Sequence, residues 1–468
     1  MYVCLKDIPE SEWQRLANDH LDIVWLMGIW QVGQLGIQEN KDNIDLWKGD
    51  VPDVTKDDAI GSPYSISDYT INSDIGSLED LVQVRATMKR FGMRLMVDFV
   101  PNHSAKDAKW LQTHPEIYLR RPEGDKSTNE WWEHINGMEL AHGRSPFDDL
   151  WKDTLQLNYW SPKTITLMTD LLVEVAQHVD AIRCDMAMLI LNDVWQRSWG
   201  GQMQGLGLSR PSEEFWGRAI GEVKRRLPET IFVAEAYDYG ITETPEKQLL
   251  VQLGFDYVYD KDVLDNLERG LDDTRGYIQW RGGDYLHHTA HFVENHDEPR
   301  VAMALGGGQQ GFAAAVAATT LPGMRLFNDG QFDGLKNRLP VQLRRAAPET
   351  RDLQLHEQYT KYLSILADPV FHKGTWTYIS VPKEHSGWRL MAWRWALGDT
   401  KRLVIVNFSD ETGGAPVQVA DAYGEHGGDL INLQELLTGA YYDRSAQEMR
   451  TSGLYCILQP FTAQIFSY

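Results

Sequence analysis

The strongest constraint on this chain is a recurrent order of short apolar runs and helical periods. Asp22–Gly28 is a brief apolar run between turn residues, and its length fits a buried strand. Leu81, Val84, Met88 and Phe91 then recur at helical spacing, Gly92 supplies a stop, and Arg94–Val100 follows as a strand ended by Pro101. The cycle returns. Leu167, Leu171, Leu172 and Val175 predict a helix before the strand Asp180–Asp185. Ser212, with Glu213 and Glu214 behind it, reads as the cap of a helix that precedes the strand Thr230–Glu235. Gly254–Tyr259, Ala290–Glu294 and Met324–Phe327 read as further strands, with a helix around Gln310–Thr319. Strands separated by helices pair in parallel and are buried on both faces. A (β/α)8 TIM barrel with insertions accommodates this α/β order best. A doubly wound open sheet is the competitor, but no Gly-x-Gly-x-x-Gly follows any strand to support a dinucleotide fold.

Two stretches break the pattern. Residues 103–158, rich in Trp, Pro, Gly and Asp, are too long for an ordinary connection after a strand and predict an inserted domain B. From about residue 373 helical periodicity is sparse, and runs such as Gly387–Trp395 and Arg402–Phe408 predict a C-terminal β-sandwich over 373–468. The barrel is then 1–102 with 159–372. Trp393 and Trp395 share a face and are expected in the sandwich core, whereas Trp388 carries no such assignment.

Composition removes several classes of function. The 468 residues include 45 Lys and Arg against 67 Asp and Glu, a net charge of −22, which repels phosphate backbones and argues against nucleic acid. No apolar run has the length of a membrane helix. The three cysteines, Cys4, Cys184 and Cys456, make no disulfide framework. Lys6, Asp7, Pro9 and Glu10 follow Met1 without an apolar segment, so no signal peptide is read and a cytoplasmic location is expected.

In a parallel barrel the chemistry sits at the C-terminal strand ends. Those ends offer Asp98, Asn102 and His103; Arg183 and Asp185; Glu235; and Glu294, His296 and Asp297. Arg183 and Asp185 are two apart and share a face, while Cys184 points the other way and reads as packing. Singly, such a carboxylate is an ordinary cap or surface ion pair. Metal ligation by His103 and His296 with Asp98 or Asp297 lacks a supporting spacing. Jointly, several carboxylates and an arginine from four strands match glycosidic-bond chemistry, which needs one carboxylate as nucleophile and one carboxylic acid as proton donor.

These residues stand in motifs: Asp98-Phe-Val-Pro-Asn-His103, Asp180-Ala-Ile-Arg-Cys-Asp185, Phe232-Val-Ala-Glu-Ala236 and Phe292-Val-Glu-Asn-His-Asp297, in that order, with Asp153–Asn158 as a fifth and Gly61–Tyr69 as a tyrosine-bearing loop. In these motifs the chain resembles the α-amylase superfamily, glycoside hydrolase family 13, over nearly its whole length. The resemblance implies a retaining enzyme acting on α-1,4-glucosidic bonds of starch-like or maltooligosaccharide substrates. It implies Asp185 as nucleophile, Glu235 as acid/base and Asp297 as transition-state stabiliser. Arg183 would position Asp185; His103 and His296 would bond the sugar; Tyr64 would stack on it; Asp98 would shape the site. No cofactor is required for the chemistry, and Asn102 is the position that ligates a structural calcium in many relatives. Met188-Leu189 replace a common Lys-His pair, Ser65 follows the tyrosine, and Gln331 occupies a loop where relatives carry Gly-x-Glu. The alternatives are a transglycosylase of the same fold and a non-catalytic glucan-binding protein. The resemblance also places a strand before the helix at Pro9, where only Met1–Leu5 is available. Barrel strand 1 is therefore expected to be truncated or missing, leaving an edge between strands 2 and 8 and poor stability.

Overall fold

A computed structural model describes residues 4–147, 149–424 and 428–468. The chain divides into two compact units. The first runs to Tyr259 and includes Leu339–Ala347; the second comprises Asp260–Arg338 and Pro348–Tyr468.

The first unit is built on a parallel sheet of β1 (Ile23–Trp25), β2 (Arg94–Phe99), β3 (Ala181–Cys184), β4 (Ile231–Ala234) and β5 (Tyr257–Tyr259), in that spatial order. Its register sets Arg183 beside Asp98 on one side and Val233 on the other. The connecting helices follow from local chemistry. The helix Leu78–Arg90 opens on a capping box in which Ser77 and Asp80 satisfy each other's backbone N–H groups, buries Leu81, Val84 and Met88, and stops at Gly92, whose φ of +81° favours glycine. The helix Glu10–Asn18 opens on Pro9 as expected. Ser212 is not a cap. The next helix is Phe215–Arg226, with Glu214 at its N-cap position, and the Glu214 carboxylate turns away to accept the Asn192 N–H at the start of the preceding helix.

Leu5–Asp7 form a single 3-10 turn rather than a strand stub, and Met1–Val3 lie outside the described residues. Among the described residues no strand precedes β1, which is an edge strand of half-buried residues. The inserted segment pairs His103–Ala105 with Thr154–Gln156 and adds two short hairpins, Trp132–Ile135 with Met138–Ala141 and Gly143–Arg144 with Leu150–Trp151. The buried Arg144 guanidinium lies between the Trp131 and Trp199 rings, at 3.7 and 4.3 Å.

The second unit holds the parallel pair β6 (Thr289–His291) and β7 (Met324–Arg325), the buried helix Gly308–Thr319, and an antiparallel sandwich. The larger sandwich sheet has six strands and a two-stranded sheet accompanies it. Trp393 and Trp395 are buried but not between the sandwich sheets, where Leu390, Ala392, Leu403 and Ile405 pack: strand parity puts them on the other face, packed with the helix Gly308–Thr319, and their indole N–H groups donate to the Thr320 hydroxyl and carbonyl, at 3.0 and 2.7 Å. No helix among the described residues is long and apolar enough to cross a membrane.

Candidate active site

The centre of the first unit's site is Arg183, whose guanidinium is almost wholly shielded from solvent. Strand parity directs it to the same face as Asp98 across the β2–β3 pair. Its Nη1 donates to Asp185 Oδ1 at 2.8 Å and lies 3.4 Å from Asp98 Oδ1. Its Nη2 lies 2.7 Å from Glu235 Oε2, and its Nε donates to the Tyr259 hydroxyl at 3.3 Å. The rings of Trp25, Tyr64 and Tyr259 stand 5.2 to 5.6 Å from the guanidinium carbon. One cation thus gathers three carboxylates inside an aromatic wall.

Each carboxylate is fixed by further donors. Asp98 Oδ2 accepts from the Trp25 indole and the Gly28 N–H. Gly28 adopts φ +68°, and a Cβ there would stand 2.5 Å from Pro63. Glu235 Oε2 accepts from the Met186 N–H at 2.8 Å, and Oε1 from the Tyr237 hydroxyl at 3.1 Å. Met186 has a φ of +41°, uncommon for a residue with a side chain, so the turn after Asp185 is held in a strained conformation that aims its N–H at Glu235. The loop beyond Glu235 is pinned by the buried Glu246 carboxylate, which accepts the N–H groups of Tyr239, Gly240, Ile241 and Thr242.

Burial and the neighbouring Glu235 charge push the Asp185 carboxyl well above the ordinary carboxylate range, while Arg183 pulls it back. The Asp185 carboxyl therefore retains its proton beyond the pH at which a free carboxyl would lose it.

Asn102 and His103 flank this centre. Gln156 Nε2 donates to Asn102 Oδ1 at 2.9 Å, and Asn102 Nδ2 lies 3.3 Å from His103 Nδ1. The neighbours of Asn102 are thus an amide and an imidazole. Among the described residues no three His, Cys, Asp or Glu side chains gather as a metal site; Asn102 Oδ1 is an oxygen of the kind calcium takes, and here it accepts from Gln156. Gly143 lets the His103 strand approach, because a Cβ there would be 3.0 Å from His103 Cβ.

Burial holds the His103 imidazole down to about 4, against the pull of the Tyr64 backbone. Between pH 6.5 and about 4 the unfolded chain takes up a proton that the folded chain refuses. Stability should therefore fall through that window, by at most about 3 kcal/mol, and level off below it. His103→Gln should flatten this part of a plot of Tm against pH; an unchanged slope would remove His103 as the cause.

His296 and Asp297 belong to the second unit. His296 Nε2 lies 2.9 Å from Asp297 Oδ2, and the Asp297 carboxylate is partly exposed. Asn295 Oδ1 accepts the Asp297 N–H, and Arg338 donates to the Asp297 carbonyl. Glu294, a strand-end candidate, is fully buried and pairs with Arg300 at 2.7 Å while accepting the Val301 N–H. It anchors the backbone beside Asp297.

The sequence-predicted residues Tyr64, Asp98, Arg183, Asp185 and Glu235 are brought together in the first unit, with Asn102 and His103 alongside. Trp25, Tyr237 and Tyr259 were missed. Tyr259 ends the strand predicted as Gly254–Tyr259, so the strand-end rule would have found it. The residues that depart from the family pattern have inward roles: Met188 and Leu189 are buried, the Ser65 hydroxyl donates to the Asp153 carbonyl, and Gln331 donates to Tyr359.

Acidic and arginine side chains thus gather at the ends of the parallel strands. A family model for the α-amylase catalytic domain matches residues 50–187, the segment from the tyrosine loop through Asp185. α-Amylase MalA of Haloarcula japonica is 25% identical over 396 residues, covering 81% of this chain and 52% of that protein. The α-1,4-glucan:maltose-1-phosphate maltosyltransferase of Rhodospirillum rubrum is 24% identical over 249 residues, covering 51% of this chain and 29% of that one. The chain spans about half or less of the length of these relatives. An α-amylase structure from Lactobacillus plantarum superposes with a TM-score of 0.72 at 19% identity, covering 99% of this chain and 95% of that one. These likenesses show the fold, a TIM barrel with an inserted segment and a C-terminal β-sandwich, and within it residues 50–187 are similar to the α-amylase catalytic domain.

Proposed function

We propose that the protein is a retaining glycosidase acting on α-1,4-glucosidic bonds of starch-like glucans or maltooligosaccharides. The observation that carries this reading is the single guanidinium of Arg183 holding both Asp185 and Glu235, at 2.8 and 2.7 Å. Two carboxyls held on one guanidinium suit a double displacement rather than direct attack by an intervening water. Glu235 carries the proton to the leaving glycosidic oxygen, and Asp185 attacks the anomeric carbon to form a glycosyl ester. Glu235, now ionised, takes a proton from the incoming water or hydroxyl, and the ester C–O bond breaks to release Asp185. Tyr64 offers a face to the reacting sugar and His103 a ring nitrogen to its hydroxyls, while His296 is assigned a sugar hydroxyl by its motif alone. Asp297 is assigned by its motif to the charge that develops on the ring. The metal is given no step.

Transfer to a second sugar is the alternative favoured by an observation, since the matched relatives include a maltosyltransferase. One experiment tests both. Maltose to maltoheptaose, starch and trehalose are each incubated with the protein, and products are followed by NMR from the first turnover. Release of the α-anomer with shorter products is expected. Initial release of the β-anomer overturns the double displacement. Oligosaccharides longer than a single pure substrate assign transfer, and binding of maltoheptaose without any turnover assigns a non-catalytic glucan-binding protein.

A further inference from the structure

Arg345 lies on Leu339–Ala347, far along the chain from the tyrosine loop, yet this segment packs into the first unit. Its Nε and Nη2 donate to the two carboxylate oxygens of Asp58, at 2.8 and 3.0 Å. Its Nη1 and Nη2 donate to the Asp53 carboxylate and carbonyl, at 3.0 and 2.9 Å. The backbones join as well: Arg344 N–H donates to the Asp58 carbonyl, Ile60 N–H to the Gln342 carbonyl, and Leu343 is buried with Val51, Val54 and Ala59. Asp58 also accepts the Thr55 N–H and hydroxyl, and the Arg345 hydrogen bonds hold its carboxyl down at about 2.

Six residues beyond Asp58 is Tyr64, and the chain between them has little freedom. Gly61 has φ +80°, where a Cβ would stand 2.8 Å from Ile37, and Pro63 rests against Gly28. Tyr64 follows at once, its ring 5.2 Å from the Arg183 guanidinium and its backbone bonded to His103. Arg345 is about one-third exposed and Asp53 largely so, and solvent screening limits what the ion pair adds to global stability. A bidentate fork still fixes direction, which a point charge does not.

We infer that Arg345 is a positioning residue for the glucosyl-binding face of Tyr64: it fixes the anchored end of the loop and so sets the placement of that ring. The inference rests on the proposed glycosidase reading, and its test separates the two. With maltotriose as substrate, Arg345→Ala should raise KM at least fivefold, leave kcat within twofold and shift Tm by less than 3 °C. Arg345→Lys should recover part of the loss. Tyr64→Ala should raise KM too, and the double variant should be no worse than Tyr64→Ala within twofold. An unchanged KM in Arg345→Ala, or a double variant whose effect is the product of the two singles, overturns the inference. If Arg345→Ala does not fold, Asp58→Asn keeps the loop-capping oxygen and takes its place. A 3-fluorotyrosine at position 64 gives a readout independent of turnover. Its 19F resonance should shift or broaden in Arg345→Ala, and an unchanged resonance overturns the positioning role even if maltotriose proves not to be a substrate. An inactive wild type whose resonance does respond overturns the glycosidase reading and retains the positioning of the ring.

Discussion

Asp185→Asn should lower kcat/KM on maltooligosaccharides by at least about 10⁴-fold, the scale at which loss of a covalent nucleophile is felt. The same substitution should not lower Tm at pH 7. Burial and Glu235 push the Asp185 carboxyl above its unfolded value. From about pH 3.9 upward, ionising it therefore costs the folded state more than the unfolded state, and stability declines through that window. Asparagine removes this cost and leaves Arg183 with Glu235 and Asp98. A fully folded, inactive protein is the expected result. A small replacement at the same position, Asp185→Ala, should react with azide and α-maltosyl fluoride to give the β-glycosyl azide, since the open face then admits an external nucleophile. Activity within a few-fold of wild type in Asp185→Asn would remove Asp185 as the nucleophile.

Arg183→Met should have the largest effect on stability, about 3–5 kcal/mol, because breaking a buried ion cluster leaves its remaining charges uncompensated. Here the remaining charges are Asp98, Asp185 and Glu235, all shielded from water. The loss should shrink as pH falls, because protonating the carboxylates removes their repulsion. A urea midpoint measured from pH 8 to 4.5 should rise towards wild type at the acid end. Arg183→Lys should recover little, since one ammonium cannot serve Asp185, Glu235 and the Tyr259 hydroxyl from three directions. A wild-type midpoint in Arg183→Met at pH 7 would show that this cluster contributes little net energy.

The parts of the site that lie at strand ends were legible because two simple periods locate them. Alternation of strand and helix placed Asp98, Arg183 and Glu235 at one end of a parallel sheet, and strand parity separated Cys184 from its neighbours. The strands are shorter than their apolar runs: Tyr257–Tyr259 against Gly254–Tyr259, and Thr289–His291 against Ala290–Glu294. Burial in a barrel continues past the last ladder hydrogen bond, so hydrophobicity overstates strand length. The Ser212 cap failed for a related reason. A local rule assigns a carboxylate to the nearest helix start, but Glu214 reaches one 22 residues earlier in the chain. Arg345 and Asp58 are 287 residues apart, and no periodicity of either segment marks them as partners. Such pairs are set by tertiary approach alone.

The convergence on Arg183 also acts as a filter on charge. Three carboxylates share one guanidinium, His103 is uncharged above about pH 4, and even with one proton retained the group is anionic. On the proposed glycosidase reading, a neutral sugar would enter without electrostatic penalty. A ring that gains positive character, or an inhibitor with a protonated ring nitrogen, is drawn in. A group that brings negative charge of its own into direct contact with these carboxylates meets a surplus of the same sign. On that reading, selection at this site would begin with the sign of the guest's charge, before linkage or chain length is read.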